Sequence, residues 1–118
     1  MISTIFVALV AIEHIYILIL EMFLWTTPRA LKAFGNTKQF AESTKTLAAN
    51  QGIYNGFLAA GLIWALLHPD SVMGHQLSLF FLICIIVAAV YGCLTSKKSI
   101  LYIQGFPAII ALITVILK

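Results

Sequence analysis

Apolar residues along this chain group into four long runs that short polar segments separate. The runs cover about residues 2–25, 47–67, 77–94 and 100–117. Each is close to the roughly 20 residues that an α-helix needs to cross the hydrocarbon core of a bilayer. We therefore predict an all-α fold, a four-transmembrane-helix antiparallel bundle, in which residues 1–118 form a single integral membrane domain.

The polar segment 26–46 between the first two runs has helical signals of its own. Thr27-Pro28 supplies the residue types preferred at the N-cap and first position of a helix. Gly35 is suited to end that helix, which predicts a short interfacial helix over 28–34. A second helical start follows at Lys38 and is expected to continue into the second apolar run.

Composition and charge agree with a membrane protein. The chain is 62% apolar and 9% charged, with a formal net charge of +3. Six of its seven Lys and Arg residues fall in the first and third predicted loops and not in one patch, which argues against a nucleic-acid partner; they are Arg29, Lys32, Lys38 and Lys45, then Lys97 and Lys98. The positive-inside rule places these loops in the cytoplasm. The prediction is a multi-pass protein of the cell membrane with both termini outside.

Two features narrow the alternatives for the apolar runs. No Lys or Arg precedes the first run, and Glu13 and His14 interrupt it, so we expect a permanent helix and not a removable signal peptide. Cys84 and Cys93 are nine residues apart on one predicted helix and therefore on opposite faces. They cannot bridge each other, and without a CxxC motif a thiol-disulfide oxidoreductase is not expected.

The first run carries three ionisable residues, Glu13, His14 and Glu21. A buried acid costs about 2.5 to 3.5 kcal/mol on insertion, while each large apolar residue gains only about 0.3 to 0.6 kcal/mol. Such groups usually face the bundle interior and suggest a functional site. His14 and Glu21 share one helix face, with Glu13 about 80° to 100° away. We expect these three to be the acid-base groups of a site; structural hydrogen bonding between helices remains the alternative.

The second run, with NQGIYNGFLAAG at 50–61, divides into two faces. Gly52, Gly56 and Ala60 form a ridge of small residues that suits close helix packing. The amide and phenol groups lie on the other face, and alignment of the predicted helices brings two further polar residues to a similar depth. The predicted ligand-binding residues of a cytoplasm-facing pocket are therefore Asn50, Gln51, Tyr54, Asn55, Tyr91 and Gln104.

Other candidate chemistry is sparse. His68 and His75 fall in the predicted outer loop, where two histidines without a third ligand indicate a solvated loop and no metal site. The motifs of nucleotide binding and of hydrolases are absent from the sequence, and no cofactor is indicated. Pro107 cannot donate to the carbonyl of Ile103, so the fourth helix is expected to kink beside Gly105.

Two resemblances bear on these expectations. The segments EHIYILILEMFLWTTPR, LAANQGIYNGFLAAGL, YG and QGFPA resemble a family of small bacterial four-helix membrane proteins, the domain of unknown function numbered 1304. That resemblance implies the four-helix architecture and no established activity. In architecture the chain is also similar to small multidrug-resistance exporters, whose first helix carries an essential Glu in the region of Glu13. It departs from them in its long basic first loop, in Glu21 and in lacking a Trp-Ser-Gly-type motif in the third helix.

The sequence is compatible with three functions. The leading hypothesis is an intramembrane pocket that binds, and in one version transforms, a small lipid-soluble or amphipathic molecule. The first alternative is a proton-coupled transporter that acts as a homodimer, with Glu13 exchanging protons for substrate. The second is a structural or accessory membrane subunit whose polar residues only fix helix packing.

Overall fold

The computed structural model describes residues 1–97 and 99–118; Lys98, one of the basic residues used for topology, lies outside the described residues. The side chain of Leu101 is likewise not described. The described part is all-helical and contains six α-helices and one π-helical segment. The α-helices are α1 (Ile2–Met22), α2 (Pro28–Phe34), α3 (Lys38–Ser43), α4 (Lys45–Leu67), α5 (Ser71–Thr95) and α6 (Phe106–Leu117), and the π-helical segment is Leu101–Gly105.

The chain divides into two compact units. The first unit contains residues 1–13 and 58–118, and the second contains residues 14–57. Helices α1 and α4 each contribute residues to both units.

The first unit has an apolar core built from one face of each of its helices. Buried residues recur at intervals of three or four along α1 and α6, which is the spacing that keeps side chains on one helix face. The core residues are Val7, Val10, Ala11, Leu62, Leu82, Ile85, Ala108, Ala111 and Val115. Small residues in α6 and larger ones in α5 together fill this core.

A tight turn joins α4 to α5 in the first unit. Helix α4 ends at Leu67, as expected from the following His68-Pro69 pair. The Asp70 carboxylate then caps α5 by accepting hydrogen bonds from the backbone N–H groups of Val72 and Met73, at 2.9 and 3.4 Å. Because Asp70 satisfies donors that would otherwise lack partners, α5 begins at Ser71, six residues before the predicted start of the third apolar helix.

The second unit folds the predicted amphipathic segment into short helices. Helix α2 covers Pro28–Phe34 and ends at Gly35, whose φ of 68° is left-handed, as predicted for a C-cap. The Thr37 side chain accepts from the Phe40 N–H and caps α3. The expectation of a continuous helix from Lys38 is wrong, since Thr44 has a non-helical conformation and separates α3 from α4.

Two other helix ends differ from the sequence prediction. Helix α1 ends at Met22 and not at Trp25, because residues 23–27 form turns before α2. A π-helical segment, Leu101–Gly105, ends two residues before Pro107, in the region where the sequence predicts a kink. A π-bulge is a usual way for a helix to accommodate a residue that cannot donate to the preceding turn.

Two helices of the described part, Ile2–Met22 and Ser71–Thr95, are long and apolar enough to cross a membrane. Helix α4 has 23 residues but carries several amides and glycines. The apolar stretch Tyr102–Leu117 is shorter. Two helices of spanning length give a weak indication of membrane association.

Candidate functional site

The three ionisable residues of α1 differ in burial. His14 is 0% exposed and Glu21 is 9% exposed, so the prediction that these two residues share a buried face is confirmed. Glu13 is half-buried. Its Oε1 atom is inaccessible to solvent and has no hydrogen-bond partner among the described residues. Glu13 is therefore a carboxyl group with unused bonding capacity inside the protein.

Glu21 has a direct partner in the second unit. The Asn55 side-chain amide donates to Glu21 Oε1 at 2.6 Å, from α4 to α1. Asn55 also donates weakly to the backbone carbonyl of Gln51 at 3.4 Å. A hydrogen bond to a charged or buried carboxyl is stronger than one between neutral exposed groups. This bond fixes the separation and rotation of the two helices where it forms.

Glycine makes the approach of α4 to α1 close enough for that bond. A Cβ atom added to Gly52 would lie 2.5 Å from Met22 Cγ and 3.3 Å from both Glu21 Cβ and the Leu18 carbonyl oxygen. A Cβ atom on Gly56 would lie 2.7 Å from Leu18 Cδ1. The interpretation of Gly52 and Gly56 as a packing ridge therefore agrees with the structure, since a side chain at Gly52 would collide with α1 and one at Gly56 would have to displace the end of the Leu18 side chain.

The other predicted ligand-binding residues are more exposed. In the second unit, Asn50, Gln51 and Tyr54 are exposed, and the Tyr54 ring contacts Phe57 edge-on with centroids 5.6 Å apart. In the first unit, Tyr91 is 68% exposed and Gln104 is half-buried. Of the residues proposed for the pocket, the described structure joins Glu21 on α1 to Asn55 on α4 by a hydrogen bond between side chains. The role of the others stays a prediction.

Aromatic and polar contacts fix the short helices of the second unit. The Trp25 indole N–H donates to Thr44 Oγ1 at 3.1 Å, and the Trp25 ring lies 4.9 Å from Phe34. The Arg29 guanidinium donates to the Tyr16 hydroxyl at 3.3 Å. These contacts hold the short helices that follow α1 in place within the second unit.

A polar cavity in the first unit was not predicted from the sequence. It has a volume of about 180 Å³ and lies where α1 and α5 begin and where α4 and α6 end. Its polar lining comes from Ser3, Thr4, His68, Ser71, His75, Ser78 and Lys118. The sequence interpretation placed His75 in a solvated loop because hydropathy alone starts the third helix too late. The helix-capping pattern of Asp70 before Ser71 was the signal that would have placed His75 on α5, one turn after its start.

Neither cysteine chemistry nor a metal centre emerges from the described residues. Cys84 and Cys93 are both free thiols, as expected from their spacing. No group of three or more metal-ligating side chains is found in the part of the chain that the structure describes.

These features define an all-helical protein of small size in which α1 carries buried ionisable groups. Comparison with known proteins gives the family. The model for "Protein of unknown function (DUF1304)" matches residues 8–116, and the chain belongs to that family. The chain is also 42% identical over 108 residues to uncharacterized protein YpaA of Lactococcus lactis subsp. lactis, covering 90% of this chain and 89% of that protein. No solved structure matches the chain significantly.

Proposed function

We propose that this protein is a multi-pass membrane protein that binds a small lipid-soluble or amphipathic molecule from the cytoplasmic side, with Glu13 as the principal polar contact. The observation that carries the proposal is the buried Glu13 Oε1 atom without a hydrogen-bond partner among the described residues. A polar group that is removed from water and left unpaired is costly. A ligand that donates a hydrogen bond to Glu13 would offset that cost.

Exposed apolar side chains support placement of the helices in a bilayer. Ile12 on α1, Phe80 on α5 and Ile116 on α6 are each 61% exposed. Large apolar surface of this kind is unfavourable in water and is satisfied by lipid. Helix α4 has 23 residues and would be about 34 Å long at ~1.5 Å per residue, which is enough to cross the hydrocarbon core. The π-helical segment and α6 would supply the fourth span.

Glu13 and Glu21 take different roles in this proposal. Glu21 already has the Asn55 amide as a partner, and such a bond between helices is what a structural polar pair is expected to make. Glu13 has bonding capacity left for a ligand. His14 adjoins Glu13 in sequence and is fully buried, and we assign it to the same polar region of α1.

The remaining predicted residues would orient the molecule by hydrogen bonds. They are Asn50, Gln51, Tyr54, Tyr91 and Gln104. If the bound molecule carries an acidic proton or a leaving group near Glu13, general acid-base chemistry is within the capacity of a Glu and His pair. Binding is the core of the proposal, and catalysis depends on the identity of the molecule.

Native mass spectrometry of gently extracted protein tests the proposal. Wild type is compared with Glu13→Gln, which keeps the size and polarity of the side chain, and with Glu21→Gln as the matched control. We expect the wild type to retain an organic molecule as a monomer, Glu13→Gln to lose it, and Glu21→Gln to keep it with lower stability. Equal retention by Glu13→Gln, at unchanged folding, would contradict the assignment.

The same spectra separate the alternatives. An empty homodimer whose proton flux in vesicles depends on Glu13 would favour the proton-coupled transporter. An empty protein that loses thermal stability in both Glu→Gln variants would favour a structural or accessory subunit, since both acids would then serve helix packing alone.

A further inference from the structure

We infer that the cavity in the first unit is a phosphate-class anion site, separate from the Glu13 region. Its polar lining comes from hydroxyl, imidazole and ammonium side chains, and no Asp or Glu side chain is among the described residues that line it. Hydroxyl and ammonium groups donate hydrogen bonds, as do imidazole nitrogens that carry a proton. The arrangement therefore favours a ligand that is an acceptor and negatively charged.

Buried hydroxyls are the first observation behind this inference. Ser3 and Ser78 are each 6% exposed and line the cavity from α1 and α5. Two hydroxyls from different helices that line one cavity supply hydrogen-bond donors for a polar occupant.

The geometry of His68 supplies a second observation. His68 Nδ1 accepts a hydrogen bond from the Asp70 backbone N–H at 3.0 Å. An imidazole that accepts at Nδ1 carries its proton on Nε2, so Nε2 is the donor that remains. His75, one turn into α5, brings a second imidazole to the same cavity. The sequence makes this possible because the tight 68–70 turn folds α5 back beside the end of α4.

Charge in this region also favours an anion. Lys118 lines the cavity after the end of α6 and brings a positive charge. The Asp70 carboxylate, which caps α5 through the Val72 and Met73 N–H groups, is not among the residues that line the cavity. A cation would find no carboxylate ligand in the lining, whereas a phosphate group would find several donors.

The volume of about 180 Å³ suits a single phosphate group with a small substituent. Two sources share that chemistry, free inorganic phosphate and the headgroup of a phosphomonoester lipid such as phosphatidic acid. The position at the ends of four helices is where a lipid headgroup would lie if these helices span a bilayer. Comparing the binding of inorganic phosphate with the retention of phosphatidic acid distinguishes the two sources.

Phosphate binding is measured on the full chain in neutral detergent by calorimetric titration with inorganic phosphate. In parallel, native mass spectrometry compares retention of phosphatidic acid with retention of phosphatidylcholine. We expect saturable binding that weakens at least fivefold in Lys118→Gln, in Ser78→Ala and in the double variant His68→Gln/His75→Gln. Binding of inorganic phosphate without preference between the lipids identifies a free anion, and selective retention of phosphatidic acid identifies the headgroup.

Matched controls keep the result independent of folding and of the proposed Glu13 site. Lys32→Gln removes an exposed charge in the second unit, and Glu13→Gln removes the polar group assigned to the other function. Both should bind phosphate like the wild type. Absence of saturable binding to either probe by folded wild type would overturn the inference, as would equal binding by wild type and all cavity variants. Since the cavity and Glu13 variants are scored separately, failure of one proposal is distinguishable from failure of the other.

Discussion

The Asn55 side-chain amide on α4 donates a hydrogen bond to Glu21 on α1 at 2.6 Å, and this bond joins two helices of the second unit. Glu21 is 9% exposed, so water contributes little to its solvation. The carboxyl group depends on Asn55 for a partner. This relationship separates Glu21, which has a structural partner, from Glu13, which has unused bonding capacity.

Loss of the Asn55 amide should destabilise the protein. Asn55→Ala leaves the Glu21 carboxyl buried without its partner, which typically costs about 1 to 3 kcal/mol. Thermal unfolding in detergent, followed by circular dichroism, should show a lower midpoint than for wild type. Asn50→Ala removes an exposed amide from the same helix and should leave the midpoint nearly unchanged. Equal midpoints for Asn55→Ala and wild type would mean that the bond adds no stability.

A large side chain at Gly52 should force α4 away from α1. A Cβ atom alone would lie 3.3 Å from the Leu18 carbonyl oxygen and closer still to Met22. Overpacking of this kind costs about 1 to 3 kcal/mol, so Gly52→Leu should lower the unfolding midpoint. The control is Ala60→Leu, because Ala60 continues the same small-residue ridge but is exposed. A similar loss in both variants would refute a specific packing role for Gly52.

The turn between α4 and α5 makes a second position sensitive to added volume. A Cβ atom on Gly74 would lie 2.8 Å from the Ala65 carbonyl oxygen, a backbone atom that cannot move alone. We expect Gly74→Ala to cost about 1 to 3 kcal/mol in unfolding free energy, despite the better helix propensity of Ala.

Gly92→Ala is the matched substitution on the same helix. The three nearest atoms that its Cβ atom would meet all belong to the Ile100 side chain, at 3.2, 3.3 and 3.8 Å. A flexible side chain can give way, so the unfolding midpoint should stay near that of wild type or rise. If chemical denaturation gives Gly92→Ala a lower free energy of unfolding than Gly74→Ala, the close approach at Gly74 does not limit stability.

The contact between Trp25 and Thr44 can be followed optically. Thr44→Val keeps the side-chain shape but removes the hydroxyl that accepts from the Trp25 N–H and donates to the Phe40 carbonyl at 2.7 Å. In a Trp64→Phe background, where Trp25 is the remaining indole, its emission should shift and stability should fall by about 1 kcal/mol. Thr46→Val changes an exposed threonine nearby and should leave the spectrum unaltered. An unchanged emission in Thr44→Val would argue against the bond.

Hydrophobic spacing by itself determined much about this protein. It predicted an all-helical chain, the end of α4 before His68-Pro69, the helix at 28–34 with Gly35 as its cap, and the shared buried face of His14 and Glu21. These features depend on local propensity, capping and a period of 3.6 residues, and all three are determined by residues close to one another in the sequence. The packing role of Gly52 and Gly56 was also predictable, because small residues four apart on a helix allow a neighbouring helix to approach closely.

Only the tertiary structure decided which polar groups meet. The sequence grouped Asn50, Gln51 and Asn55 on one face, but only Asn55 is at the height and rotation that reach Glu21. It placed His68 and His75 in a solvated loop, whereas the start of α5 at Ser71 brings both to one cavity with Ser3 and Lys118. The physical reason is that a side-chain contact between helices depends on their relative translation and rotation. These are set by close packing at glycines and by caps such as Asp70, and apolar periodicity carries no information about them.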